Sequence, residues 1–155
     1  MTGDARFEDG REAPVNLGAL DAEDLAVIAA LAQDAVFPAS EMRWDRARGR
    51  FALLINRMRW EDRGTSRHAP ERVQSLLVFH HVRGVATQGV TRDDDTILSL
   101  LDLAFDATDA PSGHVTLTLA GDGALRLEVE AIEVTLKDVT RPYLAPSGKT
   151  PRHPD

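Results

Sequence analysis

The sequence predicts an α+β fold: one N-terminal helix packed on a curved, mostly antiparallel sheet of about six or seven strands, a sheet able to close into a small barrel. Three observations point there. Apolar residues recur at three- and four-residue spacing between residues 22 and 35, the period of a helix with one buried face. Several later segments alternate apolar and polar residues, the period of a half-buried strand. Short glycine-bearing turns, Arg46-Ala47-Arg48-Gly49 and Gly121-Asp122-Gly123, separate such segments at hairpin spacing.

The 155 residues suggest a single α+β domain at 21–144, between a polar tail at 1–20 and a proline-rich tail at 145–155. The first tail holds Gly3, Gly10, Pro14 and Gly18, shows no periodicity, and lacks the basic and apolar regions of a secretory signal. Asp21 then stands as an N-cap with Asp24 three residues on, resembling a capping box with Asp in place of Glu. Leu25, Ile28, Ala29, Leu31 and Ala32 form the buried stripe of a helix over 22–35, which stops before Pro38.

Residues 41–60 read as the central hairpin. Met42 and Trp44 alternate with Arg43 and Asp45, and Gly49 closes the turn. Phe51 to Ile55 is apolar on both faces, as in a strand buried on both sides. At 57–60 alternation resumes, with Met58 and Trp60 expected inward and Arg57 and Arg59 expected in water. Residues 61–71 form a polar loop, and 72–85 read as one strand with His80 and His81 on opposite faces. Residues 96–106 fit a helix or a strand; strands on either side and Pro111-Ser112-Gly113 just beyond favour a strand. Val115 to Leu119 and Leu125 to Ala131 form a second hairpin, and 132–139 fit either a short helix or a strand.

Charge is unevenly placed. The chain carries −7 overall, with sixteen arginines and only two lysines, a bias common in GC-rich bacterial genomes. Between Arg43 and Arg72 nine arginines face four carboxylates, leaving +5 there and −12 elsewhere. Arg43, Arg46, Arg48, Arg57, Arg59 and Arg63, with Arg67 and Arg72 beyond them, are therefore the candidate partner-binding residues, forming a basic face suited to an acidic protein or to another copy of the chain. The bland alternative is a solvated face whose arginines pair across strands.

Other chemistries find little support. There is no cysteine, hence no disulfide, thiolate site or thiol nucleophile. His68, His114 and His153 stand alone, and Asp93-Asp94-Asp95 lacks the glycine and terminal glutamate of a calcium loop. No nucleophile elbow, phosphate loop or dinucleotide fingerprint occurs, so neither catalytic residues nor a metal nor a cofactor is expected. No apolar run approaches the ~20 residues of a membrane span. The expected setting is the cytoplasm.

Taken together, LDAEDLAVIAALAQDAV, MRWDRARGRFALLINRMRWE, ERVQSLLVFHHVRGV and AIEVTLKDVTRPY resemble a family of short, single-domain proteins of unknown function found mainly in alphaproteobacteria. The resemblance spans roughly residues 17–143 and implies a bacterial, cytoplasmic protein, but no site residues. By fold-level analogy alone, a pleckstrin-homology-like barrel is compatible with one helix and many hairpins. The function expected is a non-enzymatic interaction module binding an acidic protein partner. A small enzyme or ligand binder with a pocket at the barrel mouth near His80 or His81 is the alternative. Single-stranded nucleic-acid binding on Trp44 or Trp60 is less favoured, because such binders are usually basic overall.

Overall fold

The computed structural model describes residues 14–59, 71–90 and 95–140, and the backbone of 143–144. Its elements in chain order are β1 (Asn16–Ala19), helix α1 (Ala22–Ala32), β2 (Val36–Pro38), a 3-10 turn (Ala39–Glu41), β3 (Arg43–Asp45), β4 (Arg50–Met58), β5 (Glu71–Phe79), β6 (Val82–Gln88), β7 (Ile97–Asp109), β8 (Ser112–Leu119), β9 (Ala124–Val129), β10 (Val134–Asp138) and β11 (Tyr143–Leu144). Hydrogen-bonded neighbours run β1-β10-β5-β4-β2-β7-β8-β9-β6, with β3 on β4 and β11 on β5. Every pairing is antiparallel.

The expected sheet of six or seven strands is thus corrected to an open one of eleven among the described residues, with one short helix. The path ends at β1 and β6 and does not close, so neither the barrel nor the pleckstrin-homology analogy holds. The undercount has a physical cause. β1, β2, β3 and β11 are two to four residues long, too short to display a period. β1 lies inside the stretch read as a polar tail, and it pairs with β10 from Asn16↔Lys137 to Ala19↔Val134.

The helix begins where the sequence places it. The Asp21 carboxylate accepts the Asp24 N–H at 2.8 Å. It ends at Ala32 rather than Ala35, because β7 captures the chain: Asp34, at φ +66, donates its N–H to the Leu100 carbonyl, and Leu100 N–H donates to the Ala35 carbonyl. The segment 72–85, expected as one strand, is two. His81 takes φ +60, and the chain turns there from β5 into β6. His80 N–H donates to the Glu133 carbonyl and Val82 N–H to that of Gly49, which fixes the corner to β10 and to the β3–β4 turn. Segments 96–106 and 132–139 both contain strand, β7 and β10.

One face of the sheet supplies the core. Phe51, Leu53 and Ile55 of β4, Leu77 and Phe79 of β5, and Val134 and Leu136 of β10 join Val115, Leu117, Leu125 and Leu127 of β8 and β9 in a single cluster. Leu25, Ile28, Ala29 and Ala32 of α1 close it, and Trp44 packs half-buried against it. Gly113 is a point of close approach. A Cβ there would run into the Asp106 carbonyl and meet Phe105 Cζ at 2.6 Å, so the bare backbone lets the Phe105 ring lie across the β7–β8 hairpin. We predict that Gly113→Ala lowers unfolding free energy by about 1–3 kcal/mol in urea titration; an unchanged midpoint would show that the ring does not lie there.

Candidate interaction surface

The strand period divides the predicted arginines into two groups. Phe51, Leu53, Ile55 and Arg57 are alternate residues of an uninterrupted β4, so Arg57 faces the core. This corrects the expectation that Arg57 and Arg59 face water: both are buried. On neighbouring strands the same rule brings Ser75 inward after Phe79 and Leu77, and Asp138 inward after Val134 and Leu136.

The three side chains meet. Arg57 Nη2 donates to Asp138 Oδ1 at 3.0 Å and to Oδ2 at 3.2 Å. Arg57 Nε donates to Ser75 Oγ at 3.0 Å, and the Ser75 hydroxyl donates to Asp138 Oδ1 at 2.6 Å. Asp138 Oδ2 also accepts the Val15 N–H at 2.9 Å. The cluster therefore ties β4, β5 and β10 to the chain entering β1. Its ionic atoms are wholly enclosed and mutually bonded, an arrangement in which removing one partner strands a charge. Arg72, also buried, donates from Nη2 to the Asn56 carbonyl at 2.9 Å and from Nε to Asn56 Oδ1.

Arg43, Arg46 and Arg48 are exposed on the β3–β4 hairpin, joined by Arg50, which the sequence reading left out of the set. Arg63 and Trp60 lie outside the described residues. The hairpin is held from several sides. Asp45 Oδ1 accepts the Arg48 N–H at 3.2 Å, Gly49 takes the positive φ of +66 that ends the turn, and its carbonyl receives Val82 N–H. Arg43 Nη1 donates to the Ser40 carbonyl at 3.0 Å, and Arg43 Nη2 lies 4.0 Å from Glu41 Oε1. The guanidinium groups of Arg46, Arg48 and Arg50 form no ion pair with any other described residue. Four arginines against Asp45 within eight residues give this ribbon a local +3 on a chain of −7.

The described histidines, His80, His81 and His114, form no common cluster with other ligating side chains, and His68 and His153 lie outside the described residues. His81 Nε2 lies 2.7 Å from Glu133 Oε1 in an exposed pair, and His80 is half-buried. Two surface hollows stand out. One of about 380 Å³ is lined by Val36, Pro38, Leu54, Ile97, Glu41 and Asn56 among others; one of about 210 Å³ lies over Gly84 and Ala86 beside His114, Arg126 and Glu128. Neither is lined by His80 or His81. Asp93 and Asp94 lie outside the described residues, and no three His, Asp or Glu side chains among the described residues are placed to hold a metal. No described helix is long and apolar enough to cross a membrane.

A family model described as "Protein of unknown function (DUF2948)" matches residues 15–153, and the chain belongs to that family. No curated protein and no solved structure matches it.

Asp138→Ala leaves Arg57 enclosed without its carboxylate, so we predict a loss of about 3–5 kcal/mol in urea unfolding, most of it regained in the Arg57→Met, Asp138→Leu double variant. A single-variant loss below about 1 kcal/mol would place the pair in solvent.

Proposed function

From membership of a family whose function is open, we propose that the chain is a non-enzymatic interaction module whose β3–β4 hairpin binds an acidic protein surface. The observation that carries this reading is the exposure of Arg43, Arg46, Arg48 and Arg50 on one anchored ribbon, three of them without an ion pair among the described residues. Guanidinium groups are weakly hydrated and can grip carboxylates two bonds at a time. A ribbon fixed at its turn holds them with little ordering left to do on binding. The opposite sign of the remaining chain repels an acidic partner everywhere else, which confines the encounter to this end. A bacterial setting belongs to the same reading and goes with the arginine-over-lysine composition, and a cytoplasmic one goes with the absence of cysteine.

The test is capture from a bacterial lysate by the immobilised chain, beside a variant carrying Arg46→Glu, Arg48→Glu and Arg50→Glu. The variant keeps its melting midpoint, since these groups touch nothing that holds the fold, and loses a salt-sensitive protein partner by more than about tenfold. Equal capture by both chains rejects the hairpin as the site. Capture abolished by nuclease replaces the acidic protein with nucleic acid.

A further inference from the structure

The outer face of the central strands is apolar where water-facing strands are normally polar. Opposite the core-facing row of β4, residues Ala52 and Leu54 pair with Val78 and Leu76 of β5, while Val36 and Pro38 of β2 continue the face to Ile97 of β7. Leu54, Leu76, Val78, Val36 and Pro38 are only half-buried, and Ile97 is 60% exposed. Between β2, β4 and β7 this face sinks into the hollow of about 380 Å³, a size that takes apolar side chains of a bound segment.

Cations border it on several sides. Arg43 is in register with Ala52 and Arg50 lies one step further along the same face. Lys137 sits exposed beside Leu76 on β10, while Arg72 is buried and bonded to Asn56. Glu41, 4.0 Å from Arg43, lines the hollow, and Asp45 stands opposite Arg50, so the hairpin end of the face keeps a positive balance through Arg43, Arg46, Arg48 and Arg50. Along β4 the span from Ala52 to Asn56 is about 13 Å, the reach of a short extended segment.

We infer that this face binds an extended segment of a partner protein that carries apolar side chains at its centre and carboxylates at its flanks. The inference rests on the hairpin reading and gives the acidic partner its second feature, an apolar anchor in the β2–β4–β7 hollow. Charge decides between occupants. A second copy laid on the same face would bring Arg43, Arg50 and Lys137 against their own likenesses, whereas acidic flanks meet Arg43 and Arg50 on one side of the apolar centre and Lys137 on the other. The apolar centre supplies the burial that exposed charge pairs lack.

The experiment is selection of random peptides of about twelve residues, displayed on phage, against the full chain, followed by affinity measurement on synthetic copies. The expected winners hold adjacent apolar residues bracketed by Asp or Glu. They weaken about tenfold on Ile97→Ser, a substitution at an exposed position, on Leu76→Ser, and on the triple arginine variant. Acidic winners indifferent to Ile97→Ser and Leu76→Ser, yet lost with the arginines, overturn the apolar anchor and leave the hairpin reading standing. Apolar winners indifferent to the arginine variant overturn both. A face occupied instead by another copy, seen as concentration-dependent dimers abolished by Ile97→Ser, also overturns the inference, as does a gain of affinity when residues 1–12 are removed, which would make the chain's own tail the occupant.

Discussion

An enclosed ion pair, Arg57 with Asp138, fixes the end of the core. The main apolar cluster reaches Ile55, Leu77 and Leu136 on β4, β5 and β10, and the next inward positions are Arg57, Ser75 and Asp138, with Val73 buried beyond Ser75. A charge at such a position is tolerable only when its partner and its hydrogen bonds are all in place. The carboxylate satisfies both Arg57 Nη2 and Val15 N–H, so the same two oxygens that neutralise the guanidinium also seat the strand that edges the sheet. β1, too short to hold itself, depends on this contact.

That constraint also explains where the positive charge ends up. One run of sequence contains arginines of two kinds, distinguished by position along a strand. Arg57 and Arg59 continue the core row and serve the interior; Arg43, Arg46, Arg48 and Arg50 fall on the turn and the outer face and stay in water. Leucines follow the converse rule. Leu54 and Leu76 belong to the outer row although their type suits the core. The outcome is a chain with cations inside one end of its core and apolar groups on the outside of its sheet, bordered by the remaining cations.

Much of this was legible beforehand. The start of α1 at Asp21, the turn at Gly49, the β8–β9 hairpin and the inward Trp44 follow from capping, left-handed glycine and period-two alternation. The inward Arg57 was legible too, by counting in twos from Phe51. The same count puts Leu54 on the outer face, where the unbroken apolar run from Phe51 to Ile55 suggests instead a strand buried on both sides. Other features carry no local signal. Strands of two to four residues are defined by their partners, and the break at His81 is a non-glycine residue at positive φ that only the corner imposes. Asp138 as the mate of Arg57 is a contact between residues 81 positions apart, beyond the reach of any window.

The division of the arginines is most directly measured by solvent exchange of their side-chain Nε–H protons in NMR spectra. Arg57, bonded through Nε to Ser75 and enclosed by Asp138, should give a slowly exchanging resonance that persists near neutral pH, while Arg46, Arg48 and Arg50 exchange too fast to observe. An Arg57 signal that vanishes along with those of the hairpin would show the pair open to water, and the account of the fold built upon it would be wrong.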